Sequence, residues 1–290
     1  MSNSLRKKNA ELIRTMDPYR SKRWKRRLLT PIFSIYTKPE HWLYLQQILS
    51  PRSLTLPDFL GLGAPQSGTT WLYENLRCHP EICLSEEKEL RYFSLKIFKS
   101  LRFSYAAQFK HAGTRKKGEI SPDYAILPRK RIEFIRSIMP EARLLFIMRN
   151  PIDRVWSAAR RVLSRLPGRK FEELTEEELN TYFRSAHCRQ MSDYTTVFAH
   201  WLSVFPAEQL HIAVFDEIAS RPKEVLTEMF RHIGVSENVD WRLFPCDKVV
   251  NKNPEAVIPE KSRRFLEEMY RPQIEVLYQR FGSRLAGWRR

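Results

Sequence analysis

Apolar residues along this 290-residue chain form short runs that are separated by polar turns and by segments with helical spacing. Three runs, Phe59 to Leu62, Leu144 to Met148 and Leu210 to Phe215, have the character of strands buried on both faces. Helical periodicity or helix-ending signals mark the segments between and after them: 69–78, 129–138, 152–166, 194–205, 222–234 and 260–282. Strands alternating with helices predict an α/β fold, a three-layer parallel sheet of four or five strands flanked by helices.

The remaining segments have weaker patterns. Residues 31–56 are rich in aromatics and predict one or two short helices, and residues 95–111 also look helical. Residues 81–93 are expected to form a loop, and 113–122 a basic turn followed by a short extended piece. The acidic run within residues 167–189 predicts a mobile, solvated flap.

Length and composition restrict the class of protein. No internal repeat is visible, and no run approaches the roughly 20 apolar residues of a membrane span. The basic N-terminus lacks the apolar stretch of a secretory signal. Cysteines 78, 83, 188 and 246 are scattered without metal-ligand or disulfide spacing. We therefore expect a reduced, cytoplasmic protein with no metal site.

The charge is unevenly distributed. The net charge is +17, and residues 1–30 carry ten Lys and Arg against Glu11 and Asp17, which gives +8 for the arm and +9 for the rest. A basic arm of this kind suits an anionic surface such as nucleic acid or the inner face of a membrane, or else a solvated tail, which we favour. We divide the chain into this arm and one domain over residues 31–290.

The most informative stretch joins the first predicted strand to the first helix. After Gly63 come Ala-Pro-Gln-Ser-Gly-Thr-Thr-Trp-Leu, ending at Leu72. A helix N-terminus offers unpaired backbone N–H groups and a positive partial charge, and Gly68 allows a ligand to approach the backbone. The hydroxyls of Ser67, Thr69 and Thr70 add further donors. This composition predicts a cradle for phosphate-like oxygens.

The short form Pro-x-Ser-Gly-Thr-Thr-x-Leu lacks the Gly-Lys-Ser/Thr of the Walker motif. It resembles instead the 5'-phosphosulfate loop of sulfotransferases that use 3'-phosphoadenosine 5'-phosphosulfate (PAPS), which have a P-loop-like fold. The resemblance implies that residues 66–71, Gln66, Ser67, Gly68, Thr69, Thr70 and Trp71, hold the phosphosulfate. These sulfotransferases usually carry Lys or Arg at the position of Gln66.

A second segment runs from Arg149 to Ser157, directly after the second predicted strand. A guanidinium presents a planar fork of donors to a phosphate, and a serine hydroxyl adds another. The segment resembles the sulfotransferase pattern Arg-x-Pro-x-x-Arg-x-x-Ser. The resemblance implies that Arg149 and Ser157 bind the 3'-phosphate of the cofactor.

The third segment, Lys88-Glu89-Leu90-Arg91-Tyr92-Phe93, resembles the Lys-Glu-x-x-Phe-Phe segment of the carbohydrate, heparan-sulfate-type branch. There the Glu is the general base that takes the proton of the attacking hydroxyl. Spacing to the aromatic pair favours Glu89 over Glu86 and Glu87 as this base. Lys88 is the second expected catalytic residue.

Two cationic positions of this branch are vacant, at Gln66 and at Ile120 in Gly118-Glu119-Ile120-Ser121-Pro122, a segment that resembles one lining the same cleft. Lys88 or Lys252 is a candidate to replace the missing charge. Lys252 lies in a late loop that resembles the one closing over the cofactor. The loop's own amides, or a slow or inactive enzyme, are the alternatives.

The sequence is thus identified as a PAPS-dependent sulfotransferase that acts on a hydroxyl or amine, with a carbohydrate, glycolipid or other glycoconjugate as the expected acceptor. One alternative is a phosphoryl-transfer nucleotide kinase. The other is a non-catalytic protein that binds nucleotides or nucleic acid through the basic arm; no specific nucleic acid is indicated. The oligomeric state is left open.

Overall fold

The computed structural model describes residues 54–97, 99, 101–248 and 257–289. The basic arm of residues 1–30, most of the helical segment expected over 31–56, and the loop that carries Lys252 lie outside the described residues. The expectations for these segments stay predictions.

Five parallel strands form one sheet in the order β2-β3-β1-β4-β5. Their bounds are β1 Phe59–Gly63, β2 Ile82–Leu84, β3 Lys116–Ile120, β4 Arg143–Met148 and β5 Leu210–Val214. Helices cover both faces, which confirms the predicted α/β architecture.

Nine α-helices lie between and after the strands in the described part of the chain. They are α1 Thr69–Leu76, α2 Arg129–Ile138, α3 Pro151–Leu163, α4 Glu176–Phe183, α5 Ala186–Gln190, α6 Tyr194–Leu202, α7 Phe215–Ser220, α8 Pro222–Ile233 and α9 Glu260–Phe281. Two π-helical segments, Tyr92–Lys96 and Leu101–Tyr105, precede β3. Short 3₁₀ segments cover Ala106–Phe109, Pro122–Ile126, Phe171–Glu173, Ala207–Gln209, Trp241–Leu243 and Gly282–Arg289.

The strands feed two separate hydrophobic cores because successive side chains of a strand point to opposite faces. In β4, Leu144, Phe146 and Met148 pack into one core together with α2, α3, α6 and α9. Leu145 and Ile147 pack into the other, against α1 and α8. This explains why β4 reads as an unbroken apolar run.

β1 lies at the centre of the sheet, between β3 and β4. Gly61 pairs with Ile120, and Gly63 pairs with Phe146. The carboxyl ends of these three strands therefore share one edge of the sheet, where ligands of parallel sheets bind. The turns that follow them begin at Ala64, Ser121 and Arg149.

The prediction of a mobile flap over residues 167–189 is wrong. The segment contains α4 and α5, and α4 buries Leu179, Tyr182 and Phe183 in the core. Thr175 Oγ1 accepts from the Glu178 N–H, and Glu178 Oε2 accepts from the Thr175 N–H at 2.9 Å. This capping box orders the helix, while its glutamates occupy the outer face.

Three further predictions need correction. The loop expected over residues 81–93 contains the short strand β2, which pairs with β3 and buries Ile82. The segment 95–111 forms π and 3₁₀ turns in place of a regular helix. The basic turn ends earlier than expected, because Lys116 and Lys117 already belong to β3.

Candidate active site

The loop between β1 and α1 has the backbone that its sequence requires. Gly68 has φ +84° and precedes the first residue of α1, and a β-carbon there would lie 3.2 Å from the Phe215 ring. No side chain among the described residues caps this helix. The N–H groups of its first turn are thus left open to an anion.

Ser67 lies fully buried within this loop. Its hydroxyl forms no hydrogen bond of normal geometry in the described part of the chain, although the Tyr194 hydroxyl is close enough to interact with it. A buried hydroxyl without such a hydrogen bond is unfavourable, so its presence beside a helix N-terminus is consistent with a ligand that accepts from it.

Lys88 reaches this loop from the segment after β2. Its Nζ lies 3.4 Å from Thr70 Oγ1 and 3.7 Å from Glu89 Oε1. The side chain is only 16% exposed. Burial lowers the pKa of the Lys88 ammonium, and the nearby Glu89 carboxylate opposes that change. A lysine outside the loop therefore brings a positive charge to the N-terminus of α1.

Glu89 is held by cations on both sides. Arg91 Nε donates to Glu89 Oε2 at 2.7 Å, and Arg91 Nη2 donates to the same oxygen. The competing carboxylates differ: Glu86 is exposed, and Glu87 is 60% exposed and pairs with Lys96 at 3.4 Å. Of the three, only Glu89 forms an ion pair with the half-buried Lys88 in the described structure.

Arg149 connects the turn after β4 to the loop after β1. Its Nη1 donates to the Gln66 backbone oxygen at 2.9 Å, and its guanidinium lies over the Phe215 ring, 4.5 Å from the centroid. Burial lowers the pKa of the Arg149 guanidinium, and Asp153 acts in the opposite direction. No carboxylate of the described residues lies within 4.0 Å of this guanidinium. Such a half-buried cation is suited to an external anion.

Gln66 joins both parts of the site. It has φ +64°, and its Oε1 accepts from Ser157 Oγ at 3.5 Å. The two segments singled out in the sequence, 66–71 and 149–157, therefore meet at one residue. The Gln66 carboxamide lies on the Ser157 side of the loop, whereas Lys88 lies at Thr70.

Trp71 has a different placement from the other residues of its segment. Its indole Nε1 donates to the Cys246 backbone oxygen at 2.8 Å, and its ring is buried in the core between the sheet, α1 and α8. Only the backbone N–H of Trp71, and not its indole, is thus placed at the open start of α1. A role for Trp71 at the ligand stays a prediction.

Glu119, expected to line the cleft, is fully buried behind it. Its carboxylate accepts hydrogen bonds from Tyr105, Tyr124 and Ser121. Burial raises the pKa of Glu119 to about 7, although these three donors act in the opposite direction.

Phe215, the last residue of the third apolar run, borders the candidate site but was not predicted to belong to it. It contacts the Arg149 guanidinium and borders Gly68, so it lies between the two segments. Phe215 directly follows β5, at the same edge of the sheet, and this position in the sequence could have indicated that it lies near the site.

The described residues contain no group of three or more His, Cys, Asp or Glu with the proximity of a metal site. Among these residues there is likewise no helix with the length and hydropathy of a membrane span.

A family model described as "Sulfotransferase domain" matches residues 56–243, which is more than half of the chain. Among curated proteins, the chain is similar to rat carbohydrate sulfotransferase 15, with 25% identity over 80% of this chain and 53% of that protein. It is also similar to human heparan sulfate glucosamine 3-O-sulfotransferase 3A1, with 25% identity over 84% of this chain and 65% of the relative. A Dictyostelium discoideum protein, membrane-associated sulfotransferase kil1, has 21% identity over 78% of this chain and 65% of its own length. The chain thus spans less than two thirds of each of these relatives.

Solved structures support the same fold. A sulfotransferase from Alicyclobacillus acidocaldarius superimposes with a TM-score of 0.63 at 24% identity, over 81% of this chain and 99% of that one. Mouse sulfotransferase SULT7A1 complexed with PAP has a TM-score of 0.50 at 13% identity, over 86% of this chain and 93% of that one.

Proposed function

The chain belongs to the sulfotransferase domain family, and we propose that it transfers a sulfuryl group from PAPS to a hydroxyl or amine of a carbohydrate or glycoconjugate. The observation that supports this most strongly is the contact between Arg149 Nη1 and the Gln66 backbone oxygen at 2.9 Å. It joins an anion-binding helix N-terminus to a guanidinium without a carboxylate partner among the described residues. A donor with one anionic group at each end of a nucleoside suits two such subsites.

The residues present fit this donor. The open N–H groups at the start of α1 and the buried Ser67 hydroxyl suit sulfate and phosphate oxygens. Arg149 and Ser157 suit the 3'-phosphate, since a guanidinium fork and a hydroxyl can both donate to it. When bound, PAPS supplies an activated sulfuryl group.

Lys88 brings a positive charge to a loop in which the family usually has a cation at the position of Gln66. Its ammonium lies at Thr70, so it can stabilise negative charge that develops beside the first turn of α1. Because Lys88 is largely shielded from solvent, its charge interacts more strongly with such negative charge than it would in water.

Glu89 is the group of this segment placed to take the proton that an acceptor hydroxyl or amine loses. Its hydrogen bonds from Arg91 and its proximity to Lys88 fix the carboxylate in place. A positioned carboxylate contributes roughly 10²–10⁴ in rate in general base catalysis.

The carbohydrate acceptor rests on the Lys-Glu segment and on the names of the relatives. The test is an assay with radiolabelled PAPS against a panel of oligosaccharides, glycolipids, phenols and amines, with labelled ATP in parallel. We expect transfer from PAPS to a carbohydrate or glycolipid and none from ATP. Transfer from ATP, or no PAPS-dependent transfer to any acceptor, would contradict the proposal. Transfer to phenols alone would contradict its carbohydrate part.

The basic arm of residues 1–30 belongs to a separate proposal, that the protein lies at the inner surface of a membrane. Its charge of +8 supports contact with anionic lipid, for which about 1 kcal/mol per basic residue is typical. Co-sedimentation of the whole chain with phosphatidylserine vesicles, but not with phosphatidylcholine vesicles, is expected. Loss of this binding on deletion of residues 1–27, with activity retained, would assign it to the arm.

A further inference from the structure

The buried Glu119 at the end of β3 is not explained by cofactor binding. Its Oε1 accepts from Tyr105 Oη at 2.7 Å and from Tyr124 Oη at 2.8 Å, and its Oε2 accepts from Ser121 Oγ at 2.8 Å. No Lys, Arg or His of the described residues forms an ion pair with it. A carboxylate is costly to bury, and here three neutral hydroxyls satisfy it.

Two of these hydroxyls have a second hydrogen bond on their other side. Ser121 Oγ accepts from the Arg91 N–H at 3.0 Å, and Tyr124 Oη accepts from the Phe93 N–H at 3.2 Å. Above its raised pKa of about 7, the Glu119 carboxyl group is ionised and can only accept, so both hydroxyl protons then point toward it. Their lone pairs are then left to face the two backbone N–H groups. The Glu119 carboxylate therefore determines the direction of both hydrogen bonds to the backbone, in which the N–H groups of Arg91 and Phe93 donate.

The backbone held in this way belongs to the segment of the proposed base. Arg91 has φ +53°, a left-handed conformation that residues with a side chain seldom adopt, so outside contacts must maintain it. From this position its Nε donates to Glu89 Oε2 at 2.7 Å. Glu119 is thus connected to Glu89 through Ser121 and Arg91: Ser121 bonds to the Arg91 backbone N–H, and the Arg91 side chain bonds to Glu89.

We propose that Glu119 is a positioning residue, which holds the backbone at Arg91 and Phe93 through Ser121 and Tyr124 and so orients Glu89 for proton transfer. The inference rests on the proposed function, because it takes Glu89 to be the base. It adds a role for a buried residue whose hydrogen bonds in the described part of the chain go to neither the loop after β1 nor Arg149.

Tyr105 and Tyr124 form a matched pair for the test. Both are fully buried, and both donate to Glu119 Oε1. Only Tyr124, of the two, also accepts from a backbone N–H of the Glu89 segment in the described structure. Tyr105→Phe therefore removes a donor to the carboxylate, whereas Tyr124→Phe removes the same donor and the contact to Phe93.

The experiment compares Tyr124→Phe and Ser121→Ala with Tyr105→Phe and the wild type at pH 8, in full-length protein. We expect kcat to fall about tenfold or more in the first two, as for a misplaced catalytic group, with KM for PAPS within about twofold. Tyr105→Phe should keep kcat within about threefold. Calorimetric binding of PAP should be unchanged in all variants, which separates loss of positioning from loss of fold.

Hydrogen–deuterium exchange gives a readout that does not need activity. The amides of Arg91 and Phe93 should exchange faster in Ser121→Ala and Tyr124→Phe, respectively, but not in Tyr105→Phe. Equal losses of kcat in the two tyrosine variants, or unchanged exchange in all of them, would overturn the proposal. An inactive wild type with the expected exchange pattern would overturn the proposed function and the catalytic part of this inference, and leave the backbone contacts standing.

Discussion

The Lys88 ammonium lies 3.4 Å from the Thr70 hydroxyl, at the N-terminus of α1. The two lie eighteen positions apart in the sequence, so the charge reaches the loop between β1 and α1 from another segment. The loop itself carries Gln66, whose carboxamide lies at Ser157. A lysine from a different segment thus lies beside the loop that lacks the usual cation.

Lys88→Ala is expected to lower kcat by about 10²–10³, the usual effect of removing one group that stabilises developing negative charge. Steady-state kinetics with saturating PAPS measures it. Lys96→Ala is the matched control, because Lys96 lies in the following turn and pairs with the exposed Glu87. Its kcat should be close to that of the wild type.

Gln66→Lys should restore part of the kcat lost in Lys88→Ala, since it returns a cation to the loop. In the wild-type background it should lower kcat instead, because a second ammonium in the same loop repels that of Lys88, by about 4 kcal/mol if the two approach to about 4 Å at an effective dielectric of 20. Equal effects of Gln66→Lys in both backgrounds would mean that residues 66 and 88 do not serve the same group.

Arg149→Ala should weaken binding of PAP far more than binding of adenosine 5'-phosphosulfate, which lacks the 3'-phosphate. A hydrogen bond to a charged group is worth about 1.5–3 kcal/mol, or roughly 10- to 150-fold in affinity. Calorimetry with both ligands measures this difference. Arg184→Ala is the control, because Arg184 also stacks on an aromatic ring, that of Phe265 at 4.8 Å. Similar losses of affinity for both ligands would show that Arg149 does not bind the 3'-phosphate.

Glu89→Gln should reduce kcat by roughly 10²-fold or more while leaving PAP affinity nearly unchanged, as expected for loss of a general base. Glu86→Gln and Glu87→Gln are matched controls from the same loop and should be nearly neutral. If one of these two is the damaging substitution and Glu89→Gln is mild, the base has been assigned to the wrong carboxylate.

His211 makes stability depend on pH. It lies on β5 against His232, with ring centroids 5.5 Å apart. Burial lowers the pKa of His211 from its usual 6.5 to about 4, and His232 adds to this effect. Protonation then favours the unfolded chain, so the stabilisation is complete above pH 6.5 and is lost as the pH falls toward 4.

We expect the difference in unfolding free energy between pH 7 and pH 5 to be about 2 kcal/mol smaller in His211→Leu than in the wild type. Urea unfolding at both pH values measures this. The raised pKa of Glu119 acts in the opposite direction over part of this range, since its contribution falls as the pH rises toward 7. Glu119 is present in both proteins, so its effect cancels in the comparison. Identical pH dependence of both proteins would show that His211 does not titrate as described.

The fold was largely predictable because its strands and helices carry strong local signals. The helix over residues 129–138 has the predicted bounds, and β4 and β5 each lie within one residue of the predicted runs. The strand β2 was missed because three residues with one buried side chain give no periodic pattern. The helix α4 was missed because its glutamates were interpreted as a solvated acidic run, although Thr175 and Glu178 form a capping box.

The site was predictable only in part. The order of strands placed residues 66–71 and 149–157 at one edge, and the structure brings them into contact. The sequence did not indicate that the Trp71 indole is committed to Cys246, 175 residues away, or that Glu119 is buried among hydroxyls. Such contacts depend on how distant segments pack, and local residue patterns do not record that.

The central position of β1 has a consequence for how the chain is made. β1 leaves the ribosome first among the described strands, yet Phe59 pairs with Gly118 on one side and with Arg143 on the other. Until those residues are synthesised, an apolar strand has open edges, and such edges pair readily with other chains. A fragment that stops short of residue 143 would therefore be an aggregation hazard, and not half of an enzyme.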